Sequence, residues 1–249
     1  MKRVVVITGV AGGIGTATAG VFAKAGWLVV GVDCRRVEGV PGVAHFIQAD
    51  ISDPDAPERV FRELTIQEGR LDALVNNAAV QICKPLVETT VEEWNSTMAS
   101  NVRSVFLGAR YAYPLLRQSG GAIVNVSSVH AIATSVGIAA YAASKGALLA
   151  LTRAMALEFG PDQIRVNAIL PGAVDTDMLR AGLSRGHVQG GTTEELVRGF
   201  GKKHVLGRVG RPQEIGAAIL FLADNEQSSF MTGQAMVVDG GATARLSTE

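Results

Sequence analysis

Short runs of consecutive apolar, β-branched residues alternate along the chain with longer stretches of helical periodicity. This rhythm predicts a parallel β-sheet with helices between the strands. The first run spans residues 4–8, and further strands are expected at 28–32, 44–48, 73–76, 122–127, 165–170 and 235–238. None shows the strict apolar–polar alternation of a half-exposed sheet. Strands read as continuous Val/Ile/Leu runs when helices cover both faces. Helices are expected at 14–25, 55–67, 91–118 and 139–159, the last stopped by Gly160-Pro161, and a final one opens at Arg211-Pro212. The alternation reaches the last strand without repeats, low-complexity tracts or linkers. One α/β domain over residues 1–249, a doubly wound parallel sheet of about seven strands, is the economical reading.

Two stretches break the rhythm. Residues 34–43 are too few for a full crossover helix, and Gly39, Pro41 and Gly42 discourage one, so the second helix is expected to be shortened or absent. Residues 174–203 are polar and carry Gly182, Gly186, Gly190 and Gly191 directly after a strand. A long segment in that place predicts a mobile substrate loop or lid.

Charge and composition narrow the partners. Lys plus Arg and Asp plus Glu both number 23, so no basic excess invites nucleic acid or an anionic membrane, and a small-molecule ligand is expected. Cys34 and Cys83 form no zinc spacing and no disulfide framework, which fits a reducing cytoplasm and no metal. Lys2 and Arg3 before an apolar run imitate a secretory signal, but the run breaks at Thr8-Gly9 and turns glycine-rich. No stretch has the 18 or so uninterrupted apolar residues of a membrane span.

Thr8-Gly9-Val10-Ala11-Gly12-Gly13-Ile14-Gly15 links the first strand to the first helix. In that setting Gly9 permits a tight turn, Gly13 admits a pyrophosphate against the backbone, and Gly15 lets helix and strand pack closely. The helix N-terminus adds N–H donors and partial positive charge. A dinucleotide site in a Rossmann-like fold follows. Asp33 ends the second strand about 20 residues later, where a carboxylate accepts hydrogen bonds from the adenosine ribose and repels a 2′-phosphate. NAD is therefore expected in preference to NADP. Arg35 and Arg36 lie just beyond and are read as a solvated loop.

With this loop in hand, the remaining motifs resemble the short-chain dehydrogenase/reductase family over essentially the whole chain. The loop is similar to the family's T-G-x-x-x-G-x-G, and Asn76-Asn77-Ala78-Ala79 is similar to its N-N-A-G, with Ala79 in place of glycine. Asn101, Ser128, Tyr141 and Lys145 reproduce the spacing of its active site, and Pro171-Gly172 and Val238-Asp239-Gly240-Gly241 resemble further signatures. Asp50-Ile51 resembles the family's adenine-binding position.

Hydride transfer between a carbinol carbon and a nicotinamide needs a group that moves the hydroxyl proton. A tyrosine with a pKa of about 10 is a poor base unaided. Lys145 stands four residues after Tyr141 on one helix face, at a Cβ separation of about 5–6 Å, and its charge favours the phenolate. The nearby helix start pushes the same way. Ser128, at the end of the fifth strand, is placed to hold the reacting oxygen. The resemblance implies that Lys145 also binds the nicotinamide ribose and that Asn101 helps hold a water leading to solvent. It further implies cofactor contacts at Asn77, Ala78, Pro171, Gly172 and Val174 and at the Thr176 hydroxyl.

His130, in Ser-Ser-Val-His, resembles bacterial glucose dehydrogenases of the family, and Gln81 and Gly172 are expected to border the same cleft. A secondary alcohol or ketone, with a sugar or polyol foremost, is the expected substrate class. An NADPH-dependent 3-oxoacyl-carrier-protein reductase is the alternative within the family, and a non-catalytic NAD(H) sensor the alternative outside it. The intact constellation argues against the sensor. The resemblance also implies a homotetramer, for which Ala142, Gly146 and Ala150 would permit close helix contact.

Overall fold

The computed structural model describes residues 2–183 and 191–244. Among them, seven parallel strands form one sheet in the order β3-β2-β1-β4-β5-β6-β7. The strands are β1 (Val4–Thr8), β2 (Leu28–Asp33), β3 (His45–Gln48), β4 (Ala73–Asn76), β5 (Ala122–Val126), β6 (Arg165–Pro171) and β7 (Ala235–Val238). Every residue of β1, β4, β5 and β6 is buried, as expected where helices cover both faces.

The crossovers contain α1 (Gly13–Lys24), α2 (Ala56–Gln67), α3 (Val91–Met98), α4 (Ser104–Ser119), α5 (Ala139–Phe159), α6 (Asp177–Leu183), α7 (Thr193–Gly201), α8 (Pro212–Ala223) and α9 (Asn225–Ser228). One core layer joins Val6, Leu74 and Ile123 of the sheet to Leu64, Leu116 and Leu148 of α2, α4 and α5. The other joins Ile7, Val75 and Val124 to Phe22 of α1 and Ile219 of α8. Each such side chain contributes about 1.5–3 kcal/mol through burial. Strand order reverses between β1 and β4, and in such sheets ligands bind outside the carboxyl ends of the strands at that point.

No helix intervenes between β2 and β3, as the short glycine- and proline-bearing connection requires. The single helix expected at 91–118 is interrupted. A capping box at Thr90 and Glu93 starts α3, and Ala99–Arg103 then form one π-helical turn before α4 begins. The wider turn places Asn101 inward at 1% exposure. Within residues 174–203, α6 and α7 occupy much of what is described, the latter opened by a Thr192–Glu195 capping box. Gly186, His187 and Gly190 lie outside the described residues. Among the described residues, no helix is long and apolar enough to cross a membrane.

Candidate active site

Gly9 ends the turn after β1 at φ +64°, and a Cβ there would sit 2.7 Å from the Ala78 Cα. A Cβ on Gly15 would lie 2.2 Å from the Gly9 carbonyl oxygen, so neither position admits a side chain. Thr8 and Asn77 lock this loop to the end of β4. Thr8 Oγ1 accepts from the backbone N–H groups of Asn77 (3.0 Å) and Ala78 (3.1 Å). Asn77 Nδ2 donates to the carbonyls of Thr8 (2.9 Å) and Gly9 (3.0 Å). No side chain caps the start of α1, and no acidic residue stands in its first turn, which suits it to an anion. The alanine at position 79 is accommodated without positive φ.

At the adenosine end, Asp33 is 5% exposed and accepts from the Ala11 N–H at 3.0 Å. Arg35 is not merely solvated. It grips Asp33 through Nε (3.0 Å) and Nη2 (3.3 Å) as well as its backbone N–H (3.0 Å). Burial alone would raise the Asp33 pKa, but the hydrogen bonds from Arg35 and Ala11 outweigh it and hold the carboxyl below its usual range. Asp50 Oδ1 accepts from the backbone and hydroxyl of Ser52, forming a tight turn beside this end.

At the other end, helix α5 is stapled to the sheet by polar groups that leave no freedom of register. Asn76 Nδ2 donates to Asn125 Oδ1 (2.8 Å), Asn125 Nδ2 to Thr152 Oγ1 (2.9 Å), and Ser127 Oγ to the Lys145 carbonyl (2.8 Å). Such fully satisfied buried networks specify one arrangement. Asn101 adds a brace: its Oδ1 accepts from Val80 N–H, and its Nδ2 donates to Val80 O and to Ser144 Oγ. Ser144 in turn donates to the Tyr141 carbonyl at 2.7 Å.

Lys145 is 2% exposed, with Nζ donating to the Val126 carbonyl at 2.8 Å and standing 5.4 Å from the centre of the Tyr141 ring. Burial pushes its pKa down to about 7. Burial likewise pushes the Tyr141 phenol up to about 12, with the Ser128 hydroxyl pulling the other way and Cys83 adding to the rise. Among the protein's own groups, desolvation is the larger effect at both residues. Ser128 is extended at φ −167°, and its Oγ accepts from His130 N–H at 3.2 Å. The His130 ring meets Tyr141 edge-on at 6.0 Å, and burial lowers its pKa.

A family model described as enoyl-(acyl carrier protein) reductase matches residues 9–243. The meso-2,3-butanediol dehydrogenase of Serratia marcescens is 36% identical, the alignment covering 98% of this chain and 95% of that protein. The ligand-free aldohexose dehydrogenase of Thermoplasma acidophilum superposes with a TM-score of 0.93 at 30% identity, over 99% of this chain and 96% of that one. A short-chain type dehydrogenase/reductase from Mycobacterium marinum superposes with a TM-score of 0.86 at 30% identity, over 98% and 96%. The chain belongs to the short-chain dehydrogenase/reductase family. It is an oxidoreductase acting on CH–OH groups.

In this dehydrogenase/reductase one cleft of about 1590 Å³ runs from the glycine loop past Asp33 to Tyr141. The sequence-expected residues Gly12, Gly13, Ile14, Ile51, Pro171, Gly172, Val174 and Thr176 line it, as do Gln81 and His130. Its uncapped helix start and glycine cradle fit a dinucleotide cofactor. Asn101 alone of the expected residues is not on its wall, because its amide is spent on Val80 and Ser144.

Sequence reasoning missed several lining groups of the dehydrogenase/reductase. His204 is 5% exposed, with Nδ1 3.2 Å from the Phe200 carbonyl and Nε2 buried without a hydrogen-bond partner. Lys84 pairs with Glu93 at 2.7 Å, and Cys83 borders Tyr141. Phe200, Met178 and Leu183 give the substrate end an apolar wall. Helices α6 and α7 bring Met178, Leu183 and Phe200 to the sheet edge and His204 follows them, whereas Cys83 and Lys84 lie in the loop after β4, just beyond Gln81. Among the described residues, no cluster of His, Cys, Asp and Glu could hold a metal ion.

Proposed function

We propose that this enzyme oxidises a secondary alcohol, or reduces the matching ketone, with NAD(H) as its cofactor and a sugar or polyol as the substrate class. The observation that carries the reading is the burial of Tyr141 and Lys145 side by side in the same cleft as the glycine loop. When bound, NAD supplies the hydride acceptor. The chain's own residues handle the proton and the oxygen.

Tyr141 takes the hydroxyl proton as the C–H bond delivers its hydride, and returns it in the reverse direction. Ser128 Oγ holds the reacting oxygen and steadies its developing charge. Lys145 keeps one N–H on Val126 O, leaving its other donors for the nicotinamide ribose, and in its protonated form stabilises the phenolate. Asn101 acts as a positioning residue, through Val80 and through Ser144. The glycine loop, Asn77, Ala78, Asp33, Asp50 and Ile51 hold the adenosine and pyrophosphate portions. Pro171, Gly172, Val174 and Thr176 flank the nicotinamide. The His130 edge and the Gln81 amide favour a polyhydroxylated substrate over a plain hydrocarbon alcohol.

The carboxylate at Asp33 favours NAD over NADP. Helices α6 and α7 cover the substrate end within a single catalytic domain. A cytoplasmic homotetramer completes the reading, supported by the free thiols of Cys34 and Cys83 and by unfilled space beside Gly146. The test follows NADH formation at 340 nm across sugars, polyols, hydroxy acids and simple secondary alcohols, with NADP in parallel. Turnover of polyhydroxylated substrates with NAD is expected, and brisk NADPH-dependent reduction of an acetoacetyl thioester alone would overturn it.

A further inference from the structure

Among the described residues, the buried side-chain nitrogens without a hydrogen-bond partner are Trp27 Nε1, Arg165 Nη2 and His204 Nε2. Of these residues only His204 lines the cleft, and it is 5% exposed. A buried polar group with its bond unmade costs stability, so one that stands in the wall of a binding site calls for a partner that arrives with the ligand.

The other nitrogen sets the tautomer. His204 Nδ1 is 3.2 Å from the Phe200 carbonyl oxygen, which can only accept. Nδ1 therefore carries the proton, and the neutral ring keeps Nε2 as a bare acceptor. Tying down the end of α7 uses Nδ1 alone. No neighbouring charged group is turned to Nε2. Asp239, close enough to interact with the ring, accepts from the Gly241 N–H and from the N–H and hydroxyl of Thr243. Lys203 Nζ lies over the Phe200 ring, 4.8 Å from its centre. The side chains of Phe200, Met178 and Leu183, which share this wall, offer no donor.

The ring sits beyond the end of β7, where a Cβ on Gly240 would be 3.6 Å from His204 Cβ and Cδ2. His130, by contrast, stands against Tyr141. The two imidazoles therefore serve different parts of the substrate. We propose that His204 is a specificity-determining residue whose Nε2 accepts a hydrogen bond from a second substrate hydroxyl, on a carbon other than the one oxidised. Nε2 lies beneath the cleft wall, so the hydroxyl reaches it with a small shift of the ring or of the side chains over it. A substrate lacking that hydroxyl leaves Nε2 unpaired and is disfavoured. This rests on the polyol reading above and deepens it by naming the residue that reads the second hydroxyl.

The test measures kcat/KM with NAD for matched pairs: butane-2,3-diol against butan-2-ol, pentane-2,4-diol against pentan-2-ol, and hexane-2,5-diol against hexan-2-ol. Each pair is run on wild type, His204→Asn and His204→Gln, with NADH affinity followed by calorimetry. Asparagine keeps an N–H for the Phe200 carbonyl and loses the acceptor at the Nε2 position, whereas glutamine reaches that position with an amide oxygen. Wild type is expected to prefer the diol in at least one pair. On that pair His204→Asn should lose about tenfold in kcat/KM for the diol, with the plain alcohol and NADH affinity held within about threefold, and His204→Gln should recover part of the loss. Equal losses on diol and alcohol, or an unchanged diol preference in His204→Asn, overturn the proposal and leave the polyol reading standing. If wild type prefers the diol in no pair, both fall. Should His204→Asn fail to bind NADH, His204→Phe, which fills the ring volume without either nitrogen, decides by the same ratio.

Discussion

The two ends of the cleft handle charge in different ways. At the carbinol end, Tyr141 and Lys145 are nearly sealed from water and registered by Asn125, Thr152 and Ser127, so their protonation is governed by desolvation. At the adenosine end, Asp33 is buried too, but its charged partner, Arg35, is itself half in solvent. A proton-transfer site tolerates little positional error.

The largest effect should come from breaking the rigid end. Lys145→Met is expected to lower kcat on the order of 10³-fold, read from initial rates over pH 6–10, with the rising, low-pH limb of the oxidation profile moving to higher pH. The same change should stabilise the fold. The Lys145 pKa drops from 10.5 to about 7 on folding, so the unfolded state binds the extra proton between those values and stability rises with pH across that window. The penalty removed by Lys145→Met is therefore fully present below pH 7, on the order of a few kcal/mol, and fades by about pH 10.5. Tyr141 works with the opposite sign: its folded pKa of about 12 exceeds the ordinary 10, so stability falls as pH rises between them. Denaturant melts at pH 7, 9 and 10.5 check the Lys145 slope, and melts at pH 10.5 and 11.5 that of Tyr141.

Ser128→Ala should cost about 10²-fold in kcat with a smaller change in cofactor affinity, because the hydroxyl acts on the reacting oxygen. Asn101→Ala should cost about tenfold in rate and about 2–3 kcal/mol of stability in urea unfolding, since Val80 N–H and C=O lose their buried partner. The smallest effect belongs to the loose end. Arg35→Gln should cost about 1 kcal/mol in the same urea assay, because Asp33, with its side chain 4% exposed, loses the guanidinium but keeps the backbone donors of Ala11 and residue 35. A loss near that of Asn101→Ala would show that Arg35 is a fixed part of the fold, and the contrast between the ends would fail.

The rigid end was largely legible in the sequence because it is built from short-range logic. Buried strands show as uninterrupted Val/Ile runs, and Tyr141 and Lys145 share a helix face at four-residue spacing. The break at Ala99–Arg103 was not legible, because one widened turn leaves the apolar rhythm on either side almost unchanged. Helices α6 and α7 hid behind polar, glycine-bearing composition, although Thr192-x-x-Glu195 is a capping-box signal present in the chain. The grip of Arg35 on Asp33 was unreadable for a different reason. A flexible side chain two residues away can face solvent or turn back, and only the surrounding loop decides. His204 reaches the cleft through tertiary folding alone.

The most direct measurement compares wild type and Tyr141→Phe in parallel, following NADH formation from the best polyol substrate and NADH binding by calorimetry. The expected result is a loss of at least about 10³-fold in kcat, with NADH affinity held within about threefold, because the phenol moves the proton while the glycine loop and Asp33 hold the cofactor. Comparable turnover by Tyr141→Phe with the same NADH affinity would contradict the assignment of the chemistry to Tyr141.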